Sequence, residues 1–203
     1  EIWKCMGVEE RMADRCNTIR LYSFQTDVVY QVLKRDGVCY SKEEYVRKKY
    51  KESAKVFINA YGWFVKEAQH IVPKPEGAEY PYWAFTDLYN VDQTGDGHVL
   101  TLDVPIGEAI LFDMFDWTKI MQMHYIGENE SEEATFSEEL KNMGMNEFQI
   151  MTSNFYPEQK ARIQESWKRL FGHQQAIEAG DNSGVHSVQA GLWCIKDEWI
   201  VKE

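Results

Sequence analysis

Apolar and polar residues alternate along Ile19-Arg20-Leu21-Tyr22-Ser23-Phe24-Gln25, the period-two pattern of a strand with one buried face. The period then changes. Val28, Val29, Val32 and Leu33 recur at helical spacing behind Thr26 or Asp27 as a cap, and Gly37 supplies a C-terminal stop after Lys34-Arg35-Asp36. Ser41 and Glu44 form a capping-box pattern. It predicts a long helix along Tyr45, Tyr50, Ala54, Phe57, Ile58, Tyr61, Phe64, Val65 and Ala68, ending before Pro73-Lys74-Pro75. The basic cluster Lys42, Arg47, Lys48, Lys49 and Lys51 reads as its solvated face, because glutamates intersperse it.

Further strands are predicted over Tyr80-Pro81-Tyr82-Trp83-Ala84-Phe85, His98 to Val104, and Ala109 to Phe112. A helix is expected from Asp116-Trp117 to about His124, with Asp116 as its cap. Glu128 to Glu139 reads as an exposed loop running into a helix. Pro157 opens another helix through Phe171, with Ile163, Trp167, Leu170 and Phe171 on one face. Val185 to Ile195, a turn at Asp197 and Trp199-Ile200-Val201 read as a terminal hairpin. Strands at both ends with helices between predict a single α+β domain over residues 19–203, with a mixed, mostly antiparallel sheet. Residues 1–18 read as an arm or short polar helix.

Composition narrows the function classes. The 203 residues are 44% hydrophobic and carry 7 Trp, 11 Tyr and 10 Phe, which suits a folded chain with a sizeable core. The net charge of −11 argues against direct nucleic-acid binding and against a polybasic membrane anchor. No apolar run reaches the roughly 20 residues of a membrane span, and Glu1-Ile2-Trp3-Lys4-Cys5 lacks the build of a signal peptide. The absent initiator Met reads as a trimmed or partial chain. Cys5, Cys16, Cys39 and Cys194 contain no C-x-x-C pair and read as reduced, mostly buried thiols, so the expected location is the cytoplasm.

Candidate chemistry is sparse. Asp92, Thr94, Asp96, Gly97 and Asp103 partly follow a calcium loop. Thr stands at the third place, Asp closes the loop where Glu is usual, and a strand follows, so an ordinary turn is expected and no metal. His70, His98, His124, His173 and His186 contain no pair at helical ligand spacing. Asp113 and Asp116, three residues apart around Met114-Phe115, stand as a candidate acid/base couple.

Four segments resemble a bacterial and phage family, domain of unknown function 3841. They are Leu21-Tyr22-Ser23-Phe24-Gln25 with Val28 and Gly37, then Tyr80 to Phe85, Val104 to Asp113 with Trp117, and Ile163 to Phe171 with Val188 to Trp193. A further resemblance is to the ADP-ribosyltransferase fold, in the strand–helix–Gly opening and the late strand beginning Val188-Gln189. That likeness implies displacement of nicotinamide from NAD, modifying a macromolecular target, a protein rather than nucleic acid. Carried over, Gln189, Gln25 and Tyr22 would be catalytic, while Ser23, Arg20, Tyr82 and Trp83 would hold the cofactor. The first strand lacks the family's usual Arg or His unless Arg20 serves, and Gln189 stands where Glu is commoner. Two other readings stand beside it. One is a non-catalytic inhibitor whose Glu128, Glu130, Glu132, Glu133, Glu138 and Glu139 occupy a basic site on a partner. The other is a sensor that binds a nucleotide-like ligand without turnover.

Overall fold

The computed structural model describes residues 17–44, residue 47 and residues 54–202. The arm expected over 1–18, Cys5, Cys16 and much of the helix start with Tyr45, Lys48, Lys49, Tyr50 and Lys51 lie outside the described residues. Strand β1 (Thr18–Thr26) runs into helix α1 (Asp27–Asp36). Gly37 ends α1 in the left-handed conformation at φ +76°, its N–H bonded to Leu33 O. There follow β2 (Val38–Tyr40), α2 (Ala54–Ala68), β3 (Tyr82–Phe85), β4 (Gly97–Pro105) and β5 (Ala109–Asp113). Helices α3 (Met114–Met121), α4 (Glu130–Asn142), α5 (Glu147–Thr152), α6 (Pro157–Ser166) and α7 (Gln174–Glu178) precede β6 (Val188–Leu192) and β7 (Cys194–Lys196).

Five strands form one sheet in the order β4-β1-β3-β6-β5, with every described pairing antiparallel, and β2 and β7 form a separate ribbon. The expected α+β architecture holds. Two cores flank the sheet. On one face Phe64 of α2 and Trp117 of α3 pack on Trp83, Ile110 and Phe112. On the other, Leu33 of α1, Cys39 of β2 and Trp199 pack with Leu21, Ala84, Leu102, Leu111 and Ala190.

The outer edge of β5 has a side-chain substitute for a strand. Gln174 accepts a hydrogen bond from Leu111 N at 2.6 Å and donates to Ala109 O at 3.1 Å. It thereby satisfies edge groups that would otherwise be buried and unpaired. Gln174→Leu is expected to lower stability by about 1–3 kcal/mol, read by urea unfolding, because two buried backbone groups lose their partner.

Several boundaries differ from the sequence reading. Asp113, not Asp116, caps α3, accepting from Phe115 N at 3.0 Å, because β5 runs directly into the helix without a turn. The acidic stretch is helical from Glu130, since Asn129 caps it at Glu132 N. The helix begun by Pro157 tightens to 3-10 geometry at Trp167–His173. Ser41 bridges to Tyr80, and the Glu43 N–H is taken by Glu79. The terminal hairpin does not form. Both sides of β6 are taken by β3 and β5, and Trp193, anchored by its indole N–H to Val72 O at 2.7 Å, redirects the chain to pair with β2. Ile200 and Val201 instead meet the edge of β4 at Leu102 and Thr101.

Candidate functional site

Side chains alternate across a sheet, so register decides which expected site residues can meet. Thr101, Tyr22, Phe85, Gln189 and Phe112 form one row across five strands and share a face. Two residues along, Phe24 with Val99, and Trp83 with Gly191 and Ile110, lie on the same face. Tyr22, Trp83, Arg20 and Gln189 are therefore brought to one side. Ser23, Gln25 and Tyr82 point to the other. No single cleft on the sheet is lined by both Gln25 and Gln189.

The second group is internally engaged. Gln25 donates to Ser23 Oγ at 2.8 Å, and Ser23 donates to Trp83 O at 2.7 Å. The Tyr82 hydroxyl lies 3.1 Å from Cys39 Sγ. Arg20, on the first face, grips Asp103 with two contacts of 2.5 and 3.0 Å.

The Gln189 face is covered by helices on one half only. Ile110 and Phe112 are fully buried, whereas Tyr22, Phe24, Phe85 and Thr101 are half-buried and Val99 is 39% exposed. Gln189 sits between the halves and is 3% exposed. Its amide makes no side-chain hydrogen bond among the described residues, yet no fully buried side-chain nitrogen or oxygen there lacks a partner. The amide tip is thus the part of Gln189 that reaches accessible surface. A donor and an acceptor, side by side and nearly dehydrated, are presented beside aromatic rings. Trp83 is fixed next to them by Tyr61, which accepts its indole N–H at 2.9 Å, and by Phe64 and Trp117 rings at 5.1 and 4.8 Å.

A polar network closes the end of the sheet beyond this row. Asp113 accepts from His186 Nδ1 at 2.8 Å and from the backbone N–H groups of Phe115, His186 and Ser187 at 3.0, 3.1 and 3.4 Å. Burial alone would raise the Asp113 carboxyl, but these hydrogen bonds hold it below the usual aspartate value. Asn90 donates to Ser187 Oγ at 2.7 Å, and Thr86 reaches Val188 O. Asp116 behaves oppositely, since burial pushes its carboxyl up against the opposing pull of Lys119. The two aspartates sit in opposed electrostatic environments, and Asp113 is partnered by a histidine 73 residues away. Local spacing carries no sign of that pairing, nor of the row that sets Tyr22, Phe85 and Phe112 alongside Gln189.

Two cavities lie in the helical half, away from the sheet face. One of about 550 Å³ is lined by Tyr125, Arg162, Ser166 and Arg169, and one of about 400 Å³ by Lys119, His124, Glu133 and Glu147. Internal ion pairs occupy their charged groups. Glu139 holds Arg162 at 2.6 Å, Glu133 holds Lys119 at 2.6 Å, and Glu128 and Glu132 lie 3.5 and 3.6 Å from Arg169. Four of the six glutamates expected on a partner-facing strip are therefore engaged in ion pairs within the chain, although Glu128 and Glu139 stay exposed. In the candidate calcium loop, Asp92 accepts from the backbone and hydroxyl of Thr94, the geometry of a turn, and no described group of residues is arranged to hold a metal. Cys39 and Cys194 are buried free thiols, and burial pushes Cys194 up to about 11. No described helix is long and apolar enough to cross a membrane.

Comparison with known proteins adds one finding. The family model described as Domain of unknown function (DUF3841) matches residues 20–201. The chain belongs to this family. The match takes in all of the sheet except the first two residues of β1, and includes both Asp113 and Gln189. No curated protein and no solved structure matches the chain.

Proposed function

We propose that the chain binds NAD on the Gln189 face, through the nicotinamide, and transfers ADP-ribose to a protein. The observation that carries this reading is the buried Gln189 amide, without a side-chain hydrogen bond among the described residues, at the inner end of a half-open aromatic face. A carboxamide on an aromatic ring matches it group for group. The ring stacks on aromatic side chains, and the ligand amide exchanges two hydrogen bonds with Gln189. Tyr22 shares the row and Trp83 flanks it, positions that support the roles the likeness to ADP-ribosyltransferases would give them. Ser23, Gln25 and Tyr82 then act from behind, fixing β1 to β3 and β3 to β2 rather than touching the cofactor.

Cleavage of the glycosidic bond through an oxocarbenium-like state requires a clamped substrate and electrostatic support. Gln189 supplies orientation without charge. The carboxylate at the edge of this face, Asp103, is already held by Arg20. That observation favours, as a second reading, a nucleotide-binding sensor that uses the same face without turnover. Both readings carry a cytoplasmic setting, which the free thiols fit.

Thermal unfolding with added NAD separates these readings from a face that binds nothing. The wild-type chain is expected to gain several degrees at millimolar NAD, and Gln189→Ala to lose that gain while Gln25→Ala keeps it. An equal loss in both variants would place the ligand elsewhere. Labelled-NAD transfer to protein then distinguishes the enzyme from the sensor.

A further inference from the structure

The connection between α3 and α4 is fastened chiefly through its backbone. The His124 N–H bonds Lys119 O at 2.8 Å, and its carbonyl accepts the Trp167 indole N–H at 2.7 Å. Ile126 donates to Ser166 Oγ at 3.0 Å and accepts from Arg169 at 2.8 Å. Within this stretch Met123 is left-handed at φ +63°, with its side chain 1% exposed. A methionine in that conformation costs free energy and persists only where its surroundings hold it. One side chain reaches the strained turn from α5. Glu147 accepts the Tyr125 N–H at 2.9 Å with one oxygen and meets His124 Nδ1 at 2.5 Å with the other. Among the described residues, the other side-chain hydrogen bonds of α5 stay within the helix and its Asn146 cap. Glu147 is 13% exposed and the His124 side chain 47%, so the ring exchanges protons with solvent against a nearly buried carboxylate.

We propose that His124 and Glu147 form a proton-operated latch, which fastens α5 to the α3–α4 connection while His124 is charged and loosens it when His124 is neutral. Both residues belong to the wall of the cavity of about 400 Å³, so the latch sets how firmly that wall is closed. The charged groups that face the ring there come from three helices: Lys119 of α3, Glu130 and Glu133 of α4, and Glu147 itself. Lys119 is already held by Glu133 at 2.6 Å, which leaves Glu147 as the counter-charge of His124. The bond to Glu147, helped by the charges of Glu147 and Glu133, raises the imidazole above its ordinary 6.5, against burial and Lys119. By linkage, the latch is fully engaged below pH 6.5 and is lost as pH rises through the higher folded value. It does not depend on what the Gln189 face binds.

The test is amide hydrogen exchange of the full chain, followed by NMR from about pH 6 to about pH 9 and corrected for the intrinsic exchange rate. In the wild type, protection of the Ile150 and Ser153 amides, bonded to Asn146 O and Gln149 O, is expected to fall about tenfold over that range. Ala190 in β6 should keep its protection. His124→Asn retains a donor near the place of Nδ1 without the charge, and Glu147→Gln retains an acceptor for the Tyr125 N–H. Both variants should show the lower protection of α5 already at the acid end, with no further fall. A wild-type profile flat in pH would overturn the latch, as would an equal fall in either variant. A fall shared by Ala190 would make the change global and overturn it too.

Discussion

Gly191→Val is expected to destabilise the chain by about 3 kcal/mol, a loss on the scale of overpacking in a core that cannot yield. A Cβ at Gly191 would lie 2.9 Å from Phe64 Cζ, 3.2 Å from Phe64 Cε1 and 3.4 Å from a Trp83 ring atom. Phe64 is fully buried and wedged among Trp83, Phe112, Trp117 and Phe171, with ring centroids between 5.1 and 5.6 Å. It has nowhere to retreat. The glycine is what lets α2 approach the sheet closely enough to hold Trp83 beside Gln189. Chemical denaturation would show the loss as a lower midpoint with an unchanged slope. A valine variant as stable as wild type would mean that α2 does not press on β6 as described.

Asp113→Ala is expected to cost about 3 kcal/mol as well, from one lost helix cap and part-buried N–H groups left without an acceptor. The donors stranded are Phe115, His186 and Ser187. Asp113→Asn retains one acceptor oxygen and should cost less. The two variants also differ in pH dependence. Because the folded carboxyl is held below its ordinary value of 3.8, its contribution is fully present above that value and is lost as pH falls through the folded value. Wild type and Asp113→Asn should therefore stay apart at pH 7 and draw together as pH falls from 3.8 through the lower folded value. A constant difference down to pH 2 would show that the charge of Asp113 adds nothing.

Local patterning made the elements legible. The alternation at Ile19 to Gln25, the stop at Gly37 and Pro157 at a first turn all map directly onto the structure. Each rests on the backbone preferences of a few adjacent residues. The final strands depart from the hairpin their pattern predicts because β7 leaves its neighbour for a partner more than 150 residues earlier, a choice made by tertiary contacts. The candidate site was half legible for the same reason. Period-two alternation alone separates Tyr22 from Ser23 and Gln25, yet which face meets Trp83 and Gln189 depends on the order β1-β3-β6. The acidic strip looked unpartnered in sequence because Arg162 and Arg169, which hold Glu139, Glu132 and Glu128, come from a later helical segment. The pairing of Asp113 with His186 spans the same kind of distance and leaves no local trace.

The central claim is that the Gln189 amide is the recognition group of a nicotinamide site. The most direct measurement follows the side-chain NH2 resonances of Gln189 in a ¹⁵N-labelled chain during titration with NAD, assigned by their absence in Gln189→Ala. A saturable shift of those resonances, reproduced by free nicotinamide and absent with ADP-ribose, is the predicted result. Gln189 resonances that stay fixed at millimolar NAD would contradict the account.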